Sequence, residues 1–156
     1  MAKKKSSNVT LWGIIASVGA ILLIFPMFLA IFHFTVGSGS LSVTTDIGLF
    51  PDLERLDSGV CATLVSIFAI VALVIGAIYA ILYILDVAKV LKANTKSIRK
   101  LLSFAMLAVF LVILICGIVF ISANSGNYAG FGASIGFYFA VIGSAVTGVF
   151  GILESK

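Results

Sequence analysis

Long uncharged apolar blocks alternate along this chain with short clusters of charge. No charged residue lies between Lys5 and Asp46, and the apolar part of that block runs from about Val9 to Val36. Twenty-eight uncharged residues separate Asp57 from Asp86, and fifty-three separate Lys100 from Glu154. The last block is interrupted by the polar stretch SANSGNYAG at 122–130. A helix that crosses about 30 Å of hydrocarbon needs roughly 20 apolar residues. The first two blocks supply one span each and the third supplies two. The pattern therefore predicts an all-α membrane protein, a four-span transmembrane helical bundle with spans at about 10–35, 60–86, 101–122 and 131–153. The whole chain, 1–156, reads as a single transmembrane domain with an outer loop at 37–59 and a basic cytoplasmic loop at 87–100. The start, MAKKKSSN, has the look of a signal-peptide n-region. However, the apolar run after it exceeds the usual stretch of about 7–15 residues and no A-x-A-like site closes it. An uncleaved first span is expected.

Composition agrees with the pattern. The chain is 62% hydrophobic and 10% charged, against about 25% charged in a soluble domain. The basic residues then orient the spans, because translocated loops disfavour Lys and Arg. Lys3, Lys4 and Lys5 precede the first span, Lys89, Lys92, Lys96, Arg99 and Lys100 fill the middle loop, and Lys156 ends the chain. On the other side stands Arg55, with the acidic residues Asp46, Asp52, Glu54 and Asp57. The expectation is both termini in the cytoplasm of a plasma or cell membrane. The five basic residues of the middle loop are read as topology signals facing lipid headgroups, so the net charge of +4 points to the bilayer as partner and not to nucleic acid. Trp12, Tyr83 and Tyr128 fall at span ends, where amphipathic rings settle. Asn94 and Thr95 are placed to cap the third span.

Glycine is dense in the last span, in GFGASIGFYFAVIGSAVTG at 130–148. On a helical wheel Gly132, Gly136, Ala140, Gly143, Ser144, Thr147, Gly148 and Gly151 collect on one side, opposite a bulky apolar side. In lipid, helices associate through close backbone approach, which small residues permit. This stripe is read as a helix-packing face, directed at another span of the same chain or at a membrane-protein partner or second copy. Small positions on the first two spans, Gly13, Ala16, Ser17 and Ala20, then Ala62, Ser66, Gly76 and Ala80, offer an internal partner. A phosphate-loop reading fails on the G-x-G-x-x-x-G spacing and the want of a preceding strand.

Chemistry-bearing residues are sparse. Asp86 closes the second span with Lys89 one turn on, a pattern for a surface ion pair. His33, the single histidine, reads as an interfacial ring. Pro26 removes a hydrogen bond to the Leu22 carbonyl and predicts a kink. Cys61 and Cys116 lack C-x-x-C spacing, and their different depths argue against a bridge. The sequence suggests no metal, cofactor or catalytic group, and no enzymatic activity is expected. In the outer loop Pro51 opens a short helical segment carrying Phe50, Asp52, Glu54, Arg55 and Asp57, the candidate partner-binding residues; the carboxylates lack calcium-loop spacing. The sequon Asn8-Val9-Thr10 falls on the cytoplasmic side.

The layout of a longer first outer loop, a basic inner loop and a shorter second outer loop is similar to that of the claudin-like group of four-span proteins. The group's first-loop signature is a Trp, Gly-Leu-Trp and two cysteines, whereas this loop reads Gly48-Leu49-Phe50 without Trp or Cys. The resemblance is one of layout and carries no residue roles. The expected function is that of a small multi-pass membrane protein, a non-catalytic accessory, scaffold or complex subunit working through helix packing and its first outer loop. The alternative is an oligomeric small transporter or channel subunit, lined by Ser66, Ser103, Ser134, Ser144 and Thr147. A membrane thiol-redox enzyme using Cys61 and Cys116 is a remote third.

Overall fold

A computed structural model of the chain describes residues 2–37, 42–48, 59–90, 95–125 and 129–155, of which 2–10 and 129 by backbone alone. In chain order the described elements are α1 (Ala2–Leu22), a 3-10 turn (Phe25–Met27), β1 (Phe32–Val36), β2 (Val43–Ile47), α2 (Gly59–Val87), α3 (Lys96–Ala123), β3 (Ala129–Ala133) and α4 (Ile135–Glu154). α2, α3 and α4 have 29, 28 and 20 residues, or about 43, 42 and 30 Å at 1.5 Å per residue. Among the described residues these three are long and apolar enough to cross a membrane. Less than half of each apolar window is buried inside the bundle. Large side chains such as Ile78, Ile81, Leu111, Ile115 and Ile142 are exposed around its outside. Such a continuous apolar exterior suits lipid, where the backbone must satisfy its own hydrogen bonds as helix.

The first block behaves differently. Its apolar helical part, from Leu11 to Met27, is shorter than the other three. Pro26 does not kink a longer helix; the α-helix stops at Leu22 and tightens into 3-10 hydrogen bonds, with Leu23 N–H on the Ala20 carbonyl at 3.3 Å and Ile24 N–H on the Ile21 carbonyl at 3.0 Å. The missing N–H at Pro26 leaves the Leu22 carbonyl without its usual donor, and ending the regular helix is the outcome.

The expectation of an all-α fold is corrected by a three-stranded antiparallel sheet in the order β2-β1-β3. Residues 32–36, FHFTV, alternate large apolar with polar, which is a strand period. Phe32 lies opposite Ile47 and Ala133, Phe34 opposite Thr45 and Phe131. The last span accordingly begins at Ile135 and not near 131, and Gly132 belongs to β3. The sheet is bonded into the bundle through the main chain: Ser134 N–H donates to the Ile31 carbonyl at 3.0 Å, and Gly136 N–H to the Ala30 carbonyl at 2.9 Å. A helix start leaves such N–H groups unsatisfied; here the segment between α1 and β1 supplies the acceptors.

Below the sheet the rings of Phe32, Phe120, Phe131, Phe137 and Phe34 form a continuous cluster with centroid separations of 4.9–6.0 Å. Beyond it runs an apolar core of Leu23, Val65, Ala69, Ala72, Met106, Ile113 and Ala140. α4 packs on α1 and α3, and α2 on α3. The small residues of α4, namely Gly136, Ala140, Gly143, Ser144, Thr147, Gly148 and Gly151, are buried. A methyl group at Gly143 would stand 2.9 Å from the Gly19 carbonyl oxygen, and one at Gly136 would stand 2.5 Å from that of Ala30. Backbones this close admit no side chain. Thr147 adds a hydrogen bond from Oγ1 to the Ala16 carbonyl at 3.2 Å. The glycines among them face their own chain: Gly136 the segment after α1, Gly143 α1 and Leu23, Gly148 α3, and Gly151 both Ser103 of α3 and Tyr79 of α2.

Candidate functional site

Two polar regions stand out at opposite ends of the bundle. The first is the outward face of the sheet. Because Phe32, Phe34 and Phe131 point into the aromatic cluster, their neighbours point away: His33, Thr35, Thr44, Asp46, Gly130 and Gly132. Thr35 and Thr44 hydroxyls meet at 3.1 Å, and His33 lies between Asp46 on one side and Gly132 on the other. The imidazole covers Gly132, where a Cβ would collide with its Nε2 and Cε1 atoms. Gly132 thus serves the sheet as the seat of His33. Thr44, Thr45 and Asp46 are exposed, while His33 and Thr35 are half-buried.

The second region ties together the far ends of α2, α3 and α4. Arg99 is 1% exposed. Its Nη1 donates to Asp86 Oδ2 at 2.8 Å, Thr95 Oγ1 at 3.0 Å and the Leu82 carbonyl at 3.5 Å, and its Nη2 to Glu154 Oε1 at 3.0 Å. The guanidinium also lies over the Tyr83 ring, 5.7 Å from its centroid. That ring packs where Gly13 of α1 has no Cβ. Arg99 is therefore an internal cross-link and not a headgroup contact. An arginine presents five donors in a planar fork, and desolvation is bearable when most are matched by carboxylates and carbonyls. Sequence spacing paired Asp86 with Lys89, but Asp86 bonds to Arg99 instead. Lys89 takes a left-handed conformation (φ 55°) at the end of α2. There its N–H bonds the Asp86 carbonyl and Val90 N–H the Leu85 carbonyl, the pattern of a helix-closing Schellman turn.

The remaining sequence candidates divide as follows. Lys96 and Lys100 are exposed beside Arg99 on α3, and Lys89 is exposed after α2; Lys92 lies outside the described residues. Phe50, Asp52, Glu54, Arg55 and Asp57 of the outer loop, with Tyr128, also lie outside them. Thr95 is the N-cap residue of α3, but its hydroxyl accepts from Arg99 and makes no cap bond. Trp12 stacks on Phe150 at 5.4 Å, and Tyr83 is 7% exposed, so packing claims both rings. Cys61 and Cys116 are both half-buried and free, and they are neighbours on the α2–α3 seam, where depth along the helices had suggested separation. Of the hydroxyls that would line a pore, Ser66, Ser103 and Ser144 are buried and donate to the carbonyl four residues earlier on their own helices. Glu154, the carboxylate that completes the Arg99 cluster, is the site residue sequence reasoning missed. Its signal was faint: a lone acid at the end of an apolar block, 55 residues from the cation it meets.

An apolar groove of about 100 Å³ opens between α1 and α2, lined by Ala20, Ile21, Ile24, Leu73, Ala77 and Ala80. Among the described residues no group of three or more His, Cys, Asp or Glu side chains is arranged to hold a metal ion. No protein-family model matches the chain, and no curated protein is significantly similar to it.

Proposed function

We propose that this chain is a four-span integral protein of the cell membrane, with both termini inside, that serves as a non-catalytic accessory or scaffold subunit. The observation that carries the reading is the sheet. It is bonded to α4 through the Ile31 and Ala30 carbonyls and seated on an aromatic cluster, so it presents His33, Thr35, Thr44 and Asp46 as a fixed polar face. Recognition needs pre-organised groups, and a face held this way loses little freedom when a partner docks. In this reading the sheet lies on the outer side, and the partner is a protein contacted there and along the lipid-exposed flanks. The small face of α4 already packs within the chain, so a second copy would use other surfaces. A transporter or channel role is less well supported, because the buried hydroxyls of Ser66, Ser103 and Ser144 bond to their own helices.

The test is the native mass of the chain after gentle transfer into nanodiscs, with identification of whatever accompanies it. The reading expects a companion that is lost when Thr44→Lys and Asp46→Lys reverse the character of the sheet face, with helix content unchanged. A lone chain from native membranes, or a companion indifferent to both changes, would remove it.

A further inference from the structure

Three buried polar atoms of the Arg99 cluster have no hydrogen-bond partner among the described residues: Tyr79 Oη, Arg99 Nε and Glu154 Oε2. Their residues are 0%, 1% and 2% exposed. The geometry explains why they belong together. Nη2 and Nε–H leave the guanidinium on one edge, the edge that takes both oxygens of a carboxylate in a two-pronged pair. Glu154 uses only Nη2, through Oε1 at 3.0 Å, which leaves its second oxygen and the Nε–H beside Nη2 both buried and unjoined. The opposite edge is filled by Asp86, Thr95 and the Leu82 carbonyl.

Tyr79 stands beside the ion pair. It lies one helical turn before Tyr83, on which the guanidinium rests. Its Cε2 would be 3.0 Å from a Cβ at Gly151, against which the Ser103 hydroxyl also packs. Gly151 is one turn from Glu154 on α4, and Ser103 is one turn from Arg99 on α3, where its hydroxyl donates to the Arg99 carbonyl at 2.8 Å. The Tyr79 ring is thus adjacent to the ion-pair layer, and its hydroxyl is within Coulombic reach of Glu154 and Arg99. The inventory is one obligatory donor (Nε–H), one obligatory acceptor (Oε2) and one group that can do either (Oη). A water molecule, with two donors and two acceptor sites, matches that set, and buried waters characteristically make about three such bonds.

We propose that Tyr79, Arg99 and Glu154 hold one internal water molecule, which accepts from Arg99 Nε–H, donates to Glu154 Oε2 and shares a hydrogen bond with Tyr79 Oη. The bound water extends the cross-link of α2, α3 and α4 one turn further into the apolar interior. It also lets Glu154 remain a one-pronged partner of Arg99, leaving the carboxylate free of the rotation that a two-pronged pair would demand.

The sign of one substitution tests this. Tyr79→Phe keeps the ring and its packing while deleting Oη. If the hydroxyl binds the water, the thermal unfolding midpoint of the full chain in detergent falls, because the water loses a partner. If the hydroxyl is an orphan, deletion relieves a desolvated group, and an unchanged or raised midpoint overturns the proposal. A crystal structure of the wild-type chain grown from a lipidic mesophase decides without any variant. The proposal requires one density peak within hydrogen-bond distance of all three atoms. Glu154 turned to engage both Nε and Nη2, with no peak between, refutes it.

Discussion

At the scale of single residues, Arg99 is the costliest to disturb. Removing one member of a buried ion pair strands the others, which typically costs about 3–5 kcal/mol. Arg99→Ala is therefore expected to lower unfolding stability by about that amount, read from denaturant unfolding in mixed micelles. Adding Glu154→Gln to it should recover part of the loss, since the stranded charge is then gone. Lys89 makes the opposite case. Its left-handed φ of 55° suits glycine at the residue that closes a helix, and a side chain there costs roughly 1 kcal/mol. Lys89→Gly should stabilise the protein by about 1 kcal/mol in the same assay. Neither result was visible in sequence. Arg99 stands among four other basic residues at 89–100, and nothing local in that run announces that two carboxylates, from α2 and α4, converge on it.

At the scale of elements, the small face of α4 was legible because helical geometry puts every residue of the stripe on one side. What faces it was open. Contacts at Gly19, Leu23 and Leu107 assign it to α1 and α3. Gly143→Leu is expected to lower stability by about 1–3 kcal/mol through overpacking, seen as a reduced unfolding midpoint. Native mass spectrometry should show the mass of the assembly unchanged. Dissociation of a complex with intact helix content would instead place a second molecule on that face. The strands were hidden for a different reason. β1 follows α1 and its 3-10 turn within the same uncharged block, and β3 runs AGFGA into α4, so a hydropathy window merges both with the spans. The alternation FHFTV and the break at Pro26 are the signals that separate them.

At the scale of the molecule, the Arg99 cluster and the sheet lie at opposite ends of the bundle, and the proposed topology has the basic end inside. That orientation predicts a labelling pattern. A cysteine at Thr44 should react with an impermeant maleimide on intact cells, and one at Lys100 only after permeabilisation, both in a background with Cys61 and Cys116 replaced by serine. The reverse pattern would invert the topology and move the partner face to the cytoplasm.

The sequence by itself determined the long apolar helices, three of them able by length and composition to cross a membrane, and the small face of α4, because these follow from local composition and helical periodicity. Tertiary structure alone decided where α1 ends, that the apolar flanks of two spans leave the helix to pair as strands, and that Arg99 turns inward to Asp86 and Glu154. Each of these depends on a partner distant in sequence: β1 pairs with β3 almost a hundred residues later, and Arg99 meets a carboxylate 55 residues away. Hydrogen bonds and charges are satisfied by whichever group is nearest in space, and hydropathy along a chain carries no record of that.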